Sequence, residues 1–210
     1  MQGKWNSFFK NENPVILELA CGRGEYTVGL AKLFSGQNFI GIDVKGNRMY
    51  IGAKKCLTEN ISNAAFLRTQ IEKLPAYFLP GEIAEIWITF PDPQLRASKS
   101  KKRLTHPRFL RLYQQVLKYN GCIHLKTDSP ELYHFTKRVI ELYQMKLVED
   151  FSNVNDRPGI SPELKIKTHY ECLDIAQSKR IHYLQFMMPG EINKNDAGLL
   201  EILKNEEQAD

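Results

Sequence analysis

The sequence predicts an α/β fold in which helices cover both faces of a mostly parallel sheet. Short apolar runs alternate with segments of helical periodicity along most of the chain, which is typical of successive strand–helix units. A turn with two glycines directly follows the first apolar run, as it does at the ligand-binding edge of such sheets. The length of 210 residues suits one domain of this kind, so no second domain is needed.

The first half of the chain supplies four predicted strands and two predicted helices. The first helix stops at Gly36, and Pro91 and Pro93 halt the fourth strand because proline lacks the N–H that a ladder needs. In chain order the predicted elements are the strand 15–19, the helix 26–34, the strand 38–43, the helix 47–59, and the strands 64–67 and 85–90.

The second half predicts two more helices and three more strands. The longer helix has Asp128 or Ser129 as its N-cap and Pro130 in its first turn, where a missing N–H costs nothing. The predicted elements are the helix 109–118, the strand 122–126, the helix 129–145, the loop 153–161, and the strands 147–151 and 183–187. We expect a single domain at residues 1–190 and a peripheral acidic tail at residues 191–210.

Hydropathy and cysteine spacing narrow the class of protein. No apolar run reaches the length of a membrane span, and the first five residues lack the apolar core of a signal peptide. The cysteines form no CxxC pair, which favours free thiols in a reducing compartment. We therefore expect a cytoplasmic protein without a metal site. The cysteines are Cys21, Cys56, Cys122 and Cys172.

The basic residues are concentrated in one stretch of the chain. No acidic residue occurs between Asp92 and Asp128, and the stretch carries nine basic ones. Such local basicity is typical of a face that binds a polyanion, although a solvated lysine-rich loop is the alternative. The nine are Arg96, Lys99, Lys101, Lys102, Arg103, Arg108, Arg111, Lys118 and Lys126.

The glycine turn and its flanking carboxylates predict a cofactor site. Gly22 and Gly24 would let the backbone approach a ligand closely, and Asp43 is placed to accept hydrogen bonds from two ribose hydroxyls. A dinucleotide site would want a third glycine where Thr27 stands, and Glu18 would repel its pyrophosphate. A carboxylate suits instead the ammonium and sulfonium of S-adenosylmethionine. The turn favours this methyl donor over a dinucleotide or a plain turn with solvated acids.

Further segments make the chain resemble the bacterial tRNA (guanine-N7)-methyltransferase family over most of its length. They match that family in order and spacing. The segments are Lys4-Trp5-Asn6, Asn13-Pro14, Glu18 to Gly24, Phe90-Pro91-Asp92-Pro93, Lys101-Lys102-Arg103-Leu104-Thr105, His124-Leu125-Lys126-Thr127-Asp128 and Thr168-His169-Tyr170-Glu171. The resemblance implies a Rossmann-like class I S-adenosylmethionine-dependent methyltransferase fold, tRNA as the partner, and methylation of N7 of a guanine in the variable loop, nucleotide 46.

The same resemblance assigns roles to individual residues. It implies a cofactor site formed by Glu18, Gly22, Gly24, Asp43, Gln70 and Asp92, with Asp92 and Asp128 as the catalytic carboxylates. It implies substrate contacts from Arg96, Asp128, Thr168 and Glu171, and an RNA-facing loop formed by Ser98, Lys99, Lys101, Lys102 and Arg103. The chain departs from the family pattern at Gln94, where an aromatic is usual, at Ser98-Lys99, where Arg-His is common, and at Gln70, where an acid is usual.

The chemistry of guanine N7 explains why no catalytic base is evident. N7 carries an unprotonated lone pair at neutral pH, so positioning and electrostatics suffice. Selecting guanine requires acceptors for its N1–H and exocyclic amine, which Asp128 and Glu171 could supply; a helix cap is the alternative for Asp128. We expect Phe109 and Tyr113 on a buried helix face rather than against bases.

Two other functional classes remain open from the sequence. One is a methyltransferase of the same fold that acts on another RNA, a protein or a small molecule. The other is a non-catalytic RNA-binding protein, which would show no cofactor binding. Retention on a polyanion column and cofactor binding would separate these classes. The sequence does not predict the oligomeric state.

Overall fold

The computed structural model describes residues 1–173 and 179–209 and confirms the Rossmann-like α/β fold. Within these residues one seven-stranded sheet has the order β3-β2-β1-β4-β5-β7-β6. The first five strands of this order are parallel, and β7 runs antiparallel to β5 and β6. The strands are β1 Val15–Leu19, β2 Asn38–Asp43, β3 Ala64–Arg68, β4 Ile83–Thr89, β5 Leu117–Thr127, β6 Lys146–Phe151 and β7 His182–Met187.

Helices cover both faces of this sheet because the central strands are apolar on both sides. β1 is buried at every position, as expected for a parallel strand between two helical layers. Separate apolar clusters lie on the two faces, one around Leu17 and Ile86 and the other around Tyr26 and Trp87. The α-helices are α1 Trp5–Phe9, α2 Glu25–Leu33, α3 Gly46–Thr58, α4 Pro107–Tyr113, α5 Pro130–Leu142, α6 His169–Leu173 and α7 Ala197–Ala209. The 3₁₀ helices are Ile71–Ala76, Ala97–Lys102, Val154–Asp156 and Pro162–Lys165.

Two predicted helix boundaries are corrected by the structure. The predicted helix 109–118 ends at Tyr113, because the chain enters β5 at Leu117, where that residue pairs with Ile83. The predicted helix 129–145 begins at Pro130 and ends at Leu142. Its N-cap is Ser129, whose hydroxyl accepts a hydrogen bond from the N–H of Leu132 at 3.1 Å.

The segment after Gly190 packs against the domain instead of lying apart from it. Ile192, Leu199 and Leu203 enter the same apolar cluster as the central strands. The carboxylate of Asp196 pairs with Arg111 of α4. These apolar side chains thus anchor the segment to the domain, although most of its other described residues are exposed. The last predicted tail residue, Asp210, lies outside the described residues, and the domain boundary after residue 190 stays a prediction.

The short N-terminal helix α1 was not predicted from the sequence. Trp5 and Phe9 are one turn apart and both buried, and the Trp5 ring stacks on Phe78 with centroids 5.4 Å apart. The indole N–H of Trp5 donates to the carbonyl of Tyr77 at 3.0 Å.

In the described residues no helix has the length and apolar character needed to span a membrane.

Candidate active site

A cavity of about 700 Å³ opens at the carboxyl edge of the sheet, where β1, β2, β4 and β5 end. Ligands of parallel α/β sheets bind at this edge, beside the point where the strand order reverses. The cavity brings together four residues predicted from separate parts of the sequence, namely Gly22, Asp43, Asp92 and Asp128. Its other lining residues are Ala20, Lys45, Arg48, Phe90, Pro91, Pro93, Leu95, Ser129, Pro130 and Glu131.

Ala20 and Gly22 of the glycine turn after β1 line this cavity, whereas Gly24 shapes the turn without lining the cavity, and its predicted cofactor contact stays a prediction. Gly24 has a φ of 74°, and a Cβ there would lie 2.3 Å from a ring carbon of Phe66. Only glycine fits a position that is both left-handed and this crowded. The N–H of Gly22 donates to Oδ2 of Asp43 at 2.9 Å, so the turn is fixed to the end of β2.

Backbone N–H groups orient the carboxylate of Asp43 at the cavity wall. Oδ2 accepts from Gly22, and Oδ1 accepts from the N–H of Lys45 at 2.8 Å. Each oxygen keeps a second lone pair. The carboxylate can therefore accept hydrogen bonds from two neighbouring hydroxyls of a ligand.

Glu18 lies beneath the turn and not on the cavity wall. Its side chain is 3% exposed, and its oxygens accept hydrogen bonds from the N–H and hydroxyl of Thr27 and from the hydroxyl of Thr89 at 2.7 Å. Burial raises the pKa of the carboxyl to about 7, against the lowering effect of these hydrogen bonds. Glu18 thus joins β1, α2 and β4 beneath the turn. A direct contact with the cofactor stays a prediction.

The loop after β4 carries Asp92 in a strained backbone. Phe90 and Gln94 have φ values of 47° and 49°, although neither is glycine. Such conformations cost about 1–3 kcal/mol each and concentrate at functional sites. Oδ1 of Asp92 accepts from the N–H of Gln94 at 3.0 Å, which fixes the carboxylate within the loop.

Asp128 occupies the corresponding position after β5 and lines the same cavity. The sequence left open whether this carboxylate caps α5. The cap is Ser129, and the N–H of Ser129 in turn donates to the hydroxyl of Thr127 at 3.1 Å. Asp92 and Asp128 follow the neighbouring parallel strands β4 and β5, and both line this one cavity.

The structure corrects the prediction that Arg103 faces RNA. Its side chain is only 4% exposed. A side chain that neutralises RNA phosphates has to be accessible at the protein surface. The guanidinium donates instead to backbone carbonyls of the loop after β4. The preceding residues Ser98, Lys99, Lys101 and Lys102 are exposed, and the RNA contact predicted for them stays a prediction.

The other members of the basic stretch differ in burial and in pairing, and Arg108 and Lys118 are exposed. Lys126 is buried, Arg108 pairs with Glu72 at 3.1 Å, and Arg111 pairs with Asp196. Lys118 is exposed, but it lies near the start of β5, far along the strand from the cavity. The exposed cations of this stretch that follow Leu95, a residue of the cavity wall, are Arg96, Lys99, Lys101 and Lys102.

Thr168 and Glu171 lie together but do not line the cavity in the described part of the chain. The hydroxyl of Thr168 accepts from the N–H of Glu171 at 3.1 Å, at the start of α6. The carboxylate of Glu171 lies 2.9 Å from the ammonium of Lys126, and burial lowers the pKa of that lysine. Their predicted substrate contacts stay predictions, and the side chain of the intervening Tyr170 lies outside the described residues.

Gln70 lines a neighbouring groove of about 330 Å³ instead of the main cavity. Val44 and Lys102 also line this groove. Because Val44 directly follows Asp43, the groove begins beside the end of β2. The contact predicted between Gln70 and the cofactor stays a prediction.

Sequence reasoning missed two cations of the cavity wall. Lys45 and Arg48 stand at the start of α3 and line the cavity beside Asp43. A signal was present, because residues 44–58 contain four basic residues and no acidic one.

Among the described residues, no group of three or more His, Cys, Asp or Glu side chains is arranged to hold a metal ion.

Two of the histidines have structural surroundings. The ring of His124 stacks on Trp87 with centroids 4.0 Å apart, and its Nδ1 lies 2.8 Å from the hydroxyl of Tyr183. His106 caps α4 by accepting from the N–H of Arg108 at 3.1 Å, and burial lowers its pKa to about 4. Neither lines the cavity.

Comparisons with known proteins agree with this geometry. Residues 12–184 match the Methyltransf_4 family model, described as "Putative methyltransferase". A tRNA (guanine-N(7)-)-methyltransferase of Porphyromonas gingivalis is 52% identical over 188 residues, covering 89% of this chain and 76% of that protein. The protein of the same name from Bacteroides fragilis is 44% identical, covering 93% of this chain and 78% of that protein.

Solved structures show the same fold at low sequence identity. The 16S rRNA methyltransferase KamB superposes with a TM-score of 0.65 at 15% identity, covering 90% of this chain and 94% of that one. A SAM-dependent methyltransferase from Aquifex aeolicus gives a TM-score of 0.57 at 15% identity, covering 89% of each chain. At these identities the likeness concerns the fold alone.

Proposed function

Because this chain belongs to the family of tRNA (guanine-N(7)-)-methyltransferases, we propose that its cavity binds S-adenosylmethionine and that guanine 46 of the tRNA variable loop accepts the methyl group. The protein is an S-adenosylmethionine-dependent methyltransferase of guanine N7 in tRNA. The observation that carries the proposal is the convergence of Asp43, Asp92 and Asp128 on one cavity at the carboxyl edge of the sheet.

The donors and acceptors of the cavity fit this cofactor. Asp43, whose two oxygens are oriented by backbone N–H groups, would accept hydrogen bonds from the ribose hydroxyls, and the turn containing Gly22 would adjoin the amino acid part. We place the adenine in the adjoining groove, where the amide of Gln70 can hydrogen-bond it. Bound S-adenosylmethionine supplies an activated methyl group on a sulfonium, a cation that suits a cavity with several carboxylates.

The residues around the acceptor would act by orientation and charge. The N7 lone pair attacks without a general base, so the protein contributes alignment, for which several kcal/mol are available. Asp128 would accept the N1–H and amino hydrogens of guanine, because a desolvated base needs partners for its donors. The transfer leaves positive charge on guanine, and the carboxylates of Asp92 and Asp128 would stabilise that charge.

The exposed cations that follow Leu95 would hold the RNA. Phosphates can be neutralised by Arg96, Lys99, Lys101 and Lys102. Such contacts increase the affinity for RNA more than they select its sequence.

We also propose the cytoplasm as the compartment in which the protein acts. The four cysteines, all in the described part of the chain, are free thiols, which suits a reducing environment.

Transfer of labelled methyl groups to defined RNAs tests this function. The purified protein would be incubated with labelled S-adenosylmethionine and equal amounts of an unmodified tRNA or a 16S rRNA fragment. We expect label in the tRNA and none above background in the fragment. Label in the rRNA fragment alone would support the rival function, methylation of another RNA. Cofactor binding without label in either RNA would point to a small molecule or a protein as acceptor.

A further inference from the structure

The guanidinium of Arg103 is buried against the loop that carries Asp92. Its Nε donates to the carbonyls of Pro93 at 3.3 Å and Gln94 at 3.2 Å, and its Nη2 donates to the carbonyl of Leu95 at 3.2 Å. Three consecutive carbonyls thus point at one side chain. Arginine suits this position because its planar group carries several donors in a fixed arrangement.

The other face of the contact is aromatic. The guanidinium carbon of Arg103 lies 4.4 Å from the ring centroid of Phe135 on α5. A cation over a ring face is stabilised by the ring quadrupole. The guanidinium charge is therefore held between Phe135 and the loop, away from solvent.

A short series of hydrogen bonds connects Arg103 to Asp92. Gln94 accepts from Arg103 through its carbonyl, and its N–H donates to Oδ1 of Asp92 at 3.0 Å. Gln94 itself has the left-handed φ of 49°. A non-glycine residue keeps such a conformation only when its surroundings determine it. The hydrogen bond from Arg103 Nε to the Gln94 carbonyl helps to hold this peptide in place.

We propose that Arg103 is a positioning residue for methyl transfer: it holds the loop of residues 91–95, and through the Gln94 peptide it orients Asp92. Arg103 is not a ligand of RNA phosphates, although it directly follows the exposed basic residues. The inference rests on the proposed function, since it assigns a role within the same site. The proposal gives different functions to neighbouring residues: Lys99, Lys101 and Lys102 contact RNA, and Arg103 supports the loop.

Comparing Arg103→Lys with two alanine substitutions of lysines, Lys101→Ala and Lys118→Ala, tests the proposal. Arg103→Lys keeps the charge but cannot reach the three carbonyls with the arginine geometry. We expect kcat with saturating tRNA to fall at least tenfold, while the salt dependence of tRNA binding stays that of the parent. Lys101→Ala should instead flatten the salt dependence by a slope of roughly 0.7–0.9. Lys118→Ala, a charge loss far from the cavity, should change neither quantity.

A rescue experiment distinguishes positioning from a general loss of structure. Glycine adopts positive φ without strain, so Gln94→Gly in the Arg103→Lys background should restore kcat at least threefold. Because glycine at this φ also relieves strain in the folded state, urea denaturation of both variants must show that kcat recovers by more than the change in the folded fraction. An Arg103→Lys protein with parental kcat and a flattened salt slope would overturn the proposal. So would a direct contact between the Arg103 guanidinium and an RNA phosphate in a structure of the unaltered protein with tRNA, a measurement independent of variant folding.

The parent protein separates this inference from the proposed function. If the parent fails to methylate tRNA, the proposed function is wrong. If the parent methylates tRNA and Arg103→Lys matches it in kcat, the function stands and only the role of Arg103 is wrong.

Discussion

The ammonium of Lys126 lies 2.9 Å from the carboxylate of Glu171, with side-chain exposures of 1% and 13%. Lys126 also donates to the carbonyls of Leu164 at 3.0 Å and Ile166 at 2.9 Å. This buried pair fastens the segment that contains Thr168 to the end of β5, two residues before Asp128. The segment implied in substrate binding is therefore held by a strand that borders the cavity.

Breaking this pair from one side should be more damaging than removing both charges. Lys126→Met leaves the Glu171 carboxylate without its cation, and we expect a loss of about 3–5 kcal/mol in the free energy of unfolding. Adding Glu171→Gln should recover part of that loss, because the remaining side chains are neutral. Urea denaturation measures both values. Equal stability of the single and double variants would show that the pair is not coupled.

Asp43→Ala should weaken the binding of S-adenosylmethionine at least tenfold. The carboxylate is oriented by Gly22 and Lys45, and each hydrogen bond it makes to a ribose hydroxyl should contribute about 1.5–3 kcal/mol. Calorimetric titration measures the affinity, and circular dichroism checks that the variant is folded. An unchanged dissociation constant would remove Asp43 from the cofactor site.

Asp128→Asn should lower methyl transfer without lowering stability. The amide would bring hydrogens against the donors of guanine, at a cost of about 1–3 kcal/mol in the transition state. Because Ser129 is the N-cap of α5, Ser129→Ala serves as the control and should cost about 1 kcal/mol of stability. Full activity on tRNA in a stable Asp128→Asn protein would exclude the recognition role.

Glu18 should make the protein less stable as the pH rises from about 4.5 to about 7. The pKa of this carboxyl is about 7 in the folded protein, against an ordinary value of 4.5. Below pH 4.5 the group is protonated in both states, and between the two values only the unfolded state ionises, which favours unfolding. Above pH 7 the full penalty applies, about 3 kcal/mol at 1.36 kcal/mol per pKa unit.

Glu18→Gln isolates this effect from the titration of other groups. The variant should lose less stability than the parent between pH 4.5 and pH 8, by about 3 kcal/mol. Denaturant unfolding of both proteins across this range gives the comparison. Parallel stability curves for the two proteins would show that Glu18 has the same pKa in the folded and unfolded states.

Local patterns were sufficient to predict the strands and the carboxylates of the cavity. The segments from Val15 to Leu19 and from Asn38 to Asp43 are mainly apolar, with Glu18 as the one charged residue inside the first. The residues that follow parallel strands meet at one edge of the sheet. The sequence could not show that Arg103 turns inward, because its partners are backbone carbonyls, which have no sequence signature. The burial of Lys126 was likewise hidden, because its partners Leu164, Ile166 and Glu171 lie about 40 residues away in the chain.

The boundary between α4 and β5 was missed for a related reason. Residues 114–118 are compatible with helix, and the pairing of Leu117 with Ile83 on another strand decides their conformation. The packing of Leu199 and Leu203 was also hidden, because their acidic neighbours suggested a solvated tail. In each case the deciding partner is distant in the chain.

The most direct test of the central claim is to map the methylated atom in tRNA. An unmodified tRNA transcript and a copy with guanine 46 replaced by adenine would be incubated with the protein and S-adenosylmethionine, followed by reduction and aniline cleavage, which breaks the chain at N7-methylguanine. We predict one cleavage, at nucleotide 46 of the first transcript, and none in the second. Methyl incorporation without cleavage at any guanine, or equal cleavage in both transcripts, would contradict the account.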